Sequence, residues 1–67
     1  MEVFINNQPV SAEPGNTLYI LLSRYSLVEK KGIAVAVNND VIHKGEWNQY
    51  VLAENDLVTI IRATQGG

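Results

Sequence analysis

The chain ends in Gly66-Gly67, and that pair is where its residue types come nearest to chemistry. Two consecutive residues without a Cβ make a thin thread whose main chain can enter a narrow channel and approach a partner's reactive groups closely. A carboxylate at the tip is ionised at neutral pH, because an α-carboxyl titrates near about 3.5. It is inert as an acyl donor until its oxygen becomes part of a good leaving group, and adenylate formation from ATP is a general way to achieve that. On this reading the folded part is a handle, Gly67 supplies the reacting carbonyl and Gly66 supplies access. The competing reading is a frayed end or cloning remnant with no role.

Little else in the sequence offers reactivity. There is no cysteine, which removes disulfides, thiolate–zinc sites, iron–sulfur clusters and sulfur nucleophiles. His43 is the single histidine, so no multi-histidine metal site is expected, and a lone His on a short strand reads as a packing or solvent-facing residue. Ser11, Ser23 and Ser26 lie outside any G-x-S-x-G elbow, and neither G-x-x-x-x-G-K-[ST] nor G-x-G-x-x-G occurs. No tightly bound cofactor is expected, and no nucleophile–base pair can be drawn that would make the chain an enzyme. Glu54 and Asp56 flank one turn and read as solvated. Lys30-Lys31, beside Glu29, is too short a run for a membrane or nucleic-acid patch. Trp47 and Tyr50 form no RNA-binding aromatic signature; Trp47 is expected to cover an open end of the core.

The elements that would hold such an end follow from periodicity. Val3 and Ile5 alternate with polar or outward positions as in a strand, and Asn6-Asn7 suits a tight type I′ turn into a second strand carrying Val10 and Ala12; a turn at Asn7-Gln8 is equally compatible. Pro9 places that second strand at a sheet edge. Glu13-Pro14-Gly15-Asn16 suits a type II turn, after which Asn16 or Thr17 caps a helix with Leu18, Leu21, Leu22 and Tyr25 on one face. The helix is expected to end within 26–32, with Gly32 as a stop signal. Ile33–Val37 reads as an interior strand, Asn38-Asn39-Asp40 as a turn, Val41–Lys44 as a short strand, Gly45–Asn48 as irregular, and Tyr50–Leu52 as a short extended piece. Glu54-Asn55-Asp56 turns the chain into a last strand, Leu57–Arg62, with Val58 and Ile60 on one face and Leu57, Thr59 and Ile61 on the other. The inward set is Val3, Ile5, Val10, Leu18, Leu21, Leu22, Val35, Val37, Val58 and Ile60. This order predicts an α+β domain over 1–62, a mixed sheet of four to five strands with one helix on one face, followed by a flexible tail over 63–67.

Composition narrows the class. Sixty-seven residues make one small domain, 46% hydrophobic and 18% charged with a net charge of −2, which is globular rather than disordered. The acidic balance argues against a nucleic-acid partner. The longest apolar runs, Leu18–Leu22 and Ile33–Val37, fall far short of the roughly 20 residues that span a bilayer. No signal peptide is visible at Met1-Glu2-Val3, so the cytoplasm is the expected compartment, without membrane association.

Several short stretches, in order, carry a resemblance: Val3–Gln8, Gly15-Asn16-Thr17-Leu18 leading into Leu21-Leu22, Val35-Ala36-Val37-Asn38-Asn39 with Val41-Ile42, Glu46-Trp47, Asn55-Asp56, and the ending after Ile60-Ile61. Together they resemble the ubiquitin-like β-grasp proteins and, more narrowly, the ThiS family of sulfur carriers of thiamine thiazole biosynthesis. The chain departs from that pattern in having His43-Lys44 where many members have Pro-Arg, and Asn55-Asp56 where the last turn usually reads Gly-Asp.

The resemblance implies that a ThiF-like adenylyltransferase adenylates the Gly67 carboxylate with Mg-ATP. Sulfur from a cysteine desulfurase or another donor then replaces AMP to give a thiocarboxylate, and a ThiG-like thiazole synthase takes the sulfur. The small subunit of molybdopterin synthase and the ubiquitin-related modifiers share the fold and ending, usually in longer chains; a β-grasp interaction module with an inert tail is the remaining alternative. The sheet face bearing Phe4, Leu57, Thr59 and Ile61 is the expected docking surface, with Ala63, Thr64 and Gln65 counted among the partner-binding residues; scattered surface apolars are the competing account.

Overall fold

The computed structural model describes residues 1–62. β1 (Glu2–Ile5) and β2 (Gln8–Ser11) form an antiparallel hairpin in which Val3 pairs with Val10 and Ile5 with Gln8. Its turn is Asn6-Asn7, at φ 49° and 71°; a type I′ turn needs positive φ at both residues, and Asn tolerates it better than most side chains. That decides the register left open by the sequence. β3 (Ile33–Val37) and β4 (Asp40–Ile42) are joined by the same device, Asn38 and Asn39 at φ 52° and 73°. β5 (Leu57–Arg62) lies in the middle of a five-stranded sheet of order β2-β1-β5-β3-β4. It runs parallel to β1 and antiparallel to β3. With one helix packed on one face, this is the β-grasp arrangement.

The helix α1 spans Leu18–Arg24. Gly15 takes φ 91° in the preceding turn, closed by the Asn16 N–H donating to the Glu13 carbonyl at 3.0 Å, as a type II turn requires. Thr17 is the N-cap, its hydroxyl accepting from the Ile20 N–H at 3.2 Å, while the Asn16 side chain accepts from the Glu13 N–H. The helix stops before the expected 26–32 window. Ser26 adopts φ 60°, and the Leu27 and Ser26 N–H groups donate to the Leu22 and Ser23 carbonyls. This is a Schellman ending with Ser in the place glycine usually takes. Tyr25 is therefore the C-cap, 43% exposed, and not the fourth member of the buried face.

Leu18, Leu21 and Leu22 are fully buried against Val3, Val35, Val37 and Val58. Ile5, Val10 and Ile60, expected inside, are only partly buried and pack at the margin of that core. Ala12 and Leu52 join it, and Trp47 closes one end at 2% exposure with its Nε1 donating to the Ile42 carbonyl at 2.9 Å. Two short segments differ from expectation. β4 stops at Ile42, because Lys44–Glu46 winds into a 3₁₀ turn. The extended piece over 50–52 is reduced to a single bridge between Thr17 and Val51. Three surface clefts measure about 120, 170 and 140 Å³, small beside the roughly 300 Å³ or more of a ligand pocket. Among the described residues no helix is long and apolar enough to cross a membrane.

Candidate functional site

β5 leads to the last residues of the chain, and polar side chains fix it at its start and midway along. At its start, Asn38 Oδ1 accepts from the Leu57 N–H at 3.0 Å while Asn38 Nδ2 donates to Asp56 Oδ1 at 2.9 Å. Asp56 Oδ2 accepts from the Ala53 N–H at 2.8 Å, and the Asp56 carbonyl accepts from the Phe4 N–H at 2.9 Å. Asp56 is 6% exposed. The reading of Glu54 and Asp56 as a solvated pair is thus corrected: Glu54 faces water, but Asp56 is buried and both its oxygens are engaged. A buried carboxylate is tolerable only with such partners.

Further along, Asn6 takes over where β1 stops. Its N–H donates to the Val58 carbonyl and its Oδ1 accepts from the Ile60 N–H, each at 2.9 Å. On the other side β3 stays paired to the end of the strand, Ile33 opposite Arg62. Val58 is buried and Ile60 partly so, which holds the strand from below by packing as well as by its ladder. The sequence-derived residues Ala63, Thr64, Gln65, Gly66 and Gly67, and the tail assigned to 63–67, lie outside the described residues.

The far face of the sheet brings the other candidates together. Phe4 is opposite Leu57 in the parallel ladder, and Ala36 and Ala34 are opposite Thr59 and Ile61 in the antiparallel one. Phe4, Leu57, Thr59 and Ile61 therefore share one surface, away from the helix. Val41, paired with Ala36, extends it. Leu57, Ile61 and Val41 are 49%, 48% and 57% exposed, so the face is apolar and open. Sequence reasoning missed Val41 because which face it takes depends on its register against β3, which only the Asn38-Asn39 turn fixes.

The remaining singled-out residues take structural places. His43 is exposed at the entry to the 3₁₀ turn. The Tyr50 phenol is held above its ordinary value of 10.0, first by desolvation and then by the carboxylates of Asp56 and Asp40. Among the described residues no group of three or more His, Asp or Glu side chains is placed to hold a metal ion, and every buried side-chain nitrogen and oxygen has a hydrogen-bond partner. What the arrangement offers is a central strand paired on both sides and an open apolar face beside it.

The ThiS family model matches residues 3–67. The sulfur carrier protein ThiS of Escherichia coli (strain K12) is 24% identical over 67 residues, covering all of both chains. A thiazole synthase of Magnetococcus marinus is 33% identical over 67 residues; all of this chain is aligned, but it spans only 20% of that protein. Among solved structures, the crystal structure of the thiamine biosynthesis protein ThiS from Geobacter metallireducens superposes with a TM-score of 0.83 at 19% identity, covering both chains completely. A solution structure of a thiamine biosynthesis protein from the same organism gives 0.74 at 20% identity, over all of this chain and 88% of that one.

Proposed function

The chain belongs to the ThiS family, and on that premise we propose that it is a sulfur carrier of thiamine biosynthesis whose working group is the carboxylate of Gly67. The family match carries the proposal, because it runs through Gly66 and Gly67. An adenylyltransferase of the ThiF kind joins the carboxylate oxygen to the α-phosphorus of Mg-ATP, and pyrophosphate leaves. Sulfide, freed from a desulfurase's persulfide by a thiol reductant that takes up the other sulfur as a disulfide, or supplied by another donor, then attacks the carbonyl carbon. The carbon–sulfur bond forms, the bond to AMP breaks with its electron pair going to AMP, and a thiocarboxylate results. Beyond the Gly67 carboxylate, which attacks phosphorus in the first step and is attacked at carbon in the second, the chain contributes no acid, base or nucleophile; it is a co-substrate. Having no cysteine, it has no thiol on which to carry sulfur as a persulfide, which leaves a carboxylate as the carrier group.

The thiazole synthase of Magnetococcus marinus supports a receiver of that kind. A segment similar to this whole chain makes up a fifth of that protein, which fits a carrier and a synthase working in contact. The face bearing Phe4, Leu57, Thr59 and Ile61 is the proposed contact, since partners that draw in residues 63–67 must approach beside it. The test is intact-mass spectrometry after incubation with the activating enzyme, Mg-ATP and a sulfur donor. A gain corresponding to one oxygen exchanged for sulfur, lost on deleting Gly67, is expected. No gain with an enzyme of verified activity, or full function without Gly67, overturns the carrier reading and leaves an interaction module.

A further inference from the structure

Charge is distributed along β5 in a way the sequence conceals. At the start of the strand lie Glu2, Asp40, Glu54 and Asp56: the Asn55 N–H donates to the Glu2 carbonyl, Asn38 donates to Asp56, and Asp40 pairs with Val37, itself opposite Val58. At the other end lies Arg62, opposite Ile33. Lys31 and Lys30 precede Ile33 by two and three residues, and Lys44 lines the same cleft as Ile33 with its ammonium 6.0 Å from the Trp47 ring centre. Four of the five basic side chains in the protein thus lie at the Arg62 end of the β5-β3-β4 part of the sheet, and all four are exposed. Glu29 adjoins Lys30 in the chain and Glu46 ends the 3₁₀ turn that Lys44 begins, which leaves the group two charges positive. The ends of β5 are about 17 Å apart at about 3.3 Å per residue, roughly two Debye lengths at physiological ionic strength. A partner at one end therefore feels mainly that end, and not the net charge of −2.

Resting on the carrier reading above, we infer that Lys30, Lys31, Lys44 and Arg62 form a basic collar that docks on an acidic rim, lined by Asp and Glu, around the tail channel of the activating enzyme. Geometry dictates the contact: an enzyme that encloses residues 63–67 must bring its surface beside Arg62. A basic rim there would meet like charges, which costs affinity and slows encounter, whereas an acidic rim steers the tail-bearing end inward. The acidic end of the carrier is repelled by the same rim, so the wrong end is turned away before contact. Nucleic acid does not fit this distribution, because four cations on one end face four acids on the other.

The experiment measures the association rate of the full-length chain with the activating enzyme at low and high salt, for wild type, Lys30→Glu/Lys31→Glu, and Glu54→Lys at the opposite end. The lysines are exposed in a loop, and thermal melts check that each variant folds. The double reversal is expected to slow association about tenfold or more at physiological ionic strength, the lower salt used, with the difference shrinking at high salt; Glu54→Lys stays within about twofold of wild type there, being about two Debye lengths away. An unchanged or faster rate for the double reversal, or a wild-type rate independent of salt, overturns the inference. If wild type still gains sulfur in that case, the carrier reading stands without the collar. If wild type neither binds nor gains sulfur, both fall.

Discussion

Removing the Asp56 carboxylate tests whether the start of β5 is held as described. In Asp56→Ala the Asn38 amide and the Ala53 N–H both lose their acceptor. A buried donor left without a partner costs about 1–3 kcal/mol. Water reaches exposed Ala53, so the combined loss is about 2–4 kcal/mol. Relief of repulsion from surface carboxylates such as Asp40 is worth under about 1 kcal/mol and does not reverse the sign. A domain of this size has roughly 3–10 kcal/mol in total, so the loss is a large share. In urea, at about 1 kcal/mol per molar, the midpoint falls by about 2–4 M. Asp56→Asn, though isosteric, also destabilises. The Leu57 N–H holds Asn38 in one orientation, so an amide at position 56 must set a donor against a donor. In a double-mutant cycle, Asn38→Ala and Asp56→Ala couple by more than about 0.5 kcal/mol. A midpoint for Asp56→Ala within about 0.5 M of wild type, or zero coupling, refutes the reasoning.

Three other outcomes are expected. Asn6→Gly keeps the positive φ and loses only the bond to Ile60, costing about 1 kcal/mol, whereas Asn6→Ala adds a left-handed backbone penalty of about 1–2 kcal/mol; thermal melts should rank them in that order. Leu57→Ser and Ile61→Ser, on the open face, change unfolding free energy by no more than about 1 kcal/mol; they weaken binding to the activating enzyme about tenfold each, read by calorimetric titration. Because the Tyr50 pKa is raised in the fold, its contribution is intact below the unfolded value near 10 and is lost as pH rises through the folded value. Tyr50→Phe should flatten the part of the stability curve above about pH 10 that Tyr50 causes, and an unchanged alkaline slope counts against it.

The hairpins, the single helix and the last strand were legible because their signals are local. Asn6-Asn7 has the backbone tolerance a type I′ turn needs, Leu18, Leu21 and Leu22 have helical spacing, and 57–62 alternates. The helix end was not, since Ser26 adopts a left-handed conformation that glycine usually marks, and Gly32 drew the boundary too late. Asp56 misled for a related reason: an acid in a turn is normally solvated, and only the tertiary arrival of Asn38, 18 residues away, makes its burial tolerable. Of the candidate surface, Phe4, Leu57, Thr59 and Ile61 followed from strand alternation, while Val41 and the gathering of Lys30, Lys31, Lys44 and Arg62 depend on strand order. No local pattern encodes which strands become neighbours.

β5 also explains why polar residues, and not only apolar ones, matter to a protein of this kind. Core packing and the open face alternate along one strand: Val58 and Ile60 point to the helix, Leu57, Thr59 and Ile61 away from it. A slip of one residue would exchange the two sets. Hydrophobicity alone resists that slip only in part: whichever way the strand moves, Thr59 and one of Leu57 or Ile61 take the places of Val58 and Ile60, so one aliphatic residue is replaced by another and one by a threonine. The two asparagine side chains add to that discrimination, since Asn38 accepts from the N–H at 57 and Asn6 from the N–H at 60. Displaced by one residue, both acceptors would lose their donors, at about 1–3 kcal/mol for each group left unpaired. The register that puts Arg62 beside Ile33, and so decides where residue 63 emerges, is therefore set in part by two turn residues whose backbone conformation the sequence showed but whose side-chain role it did not.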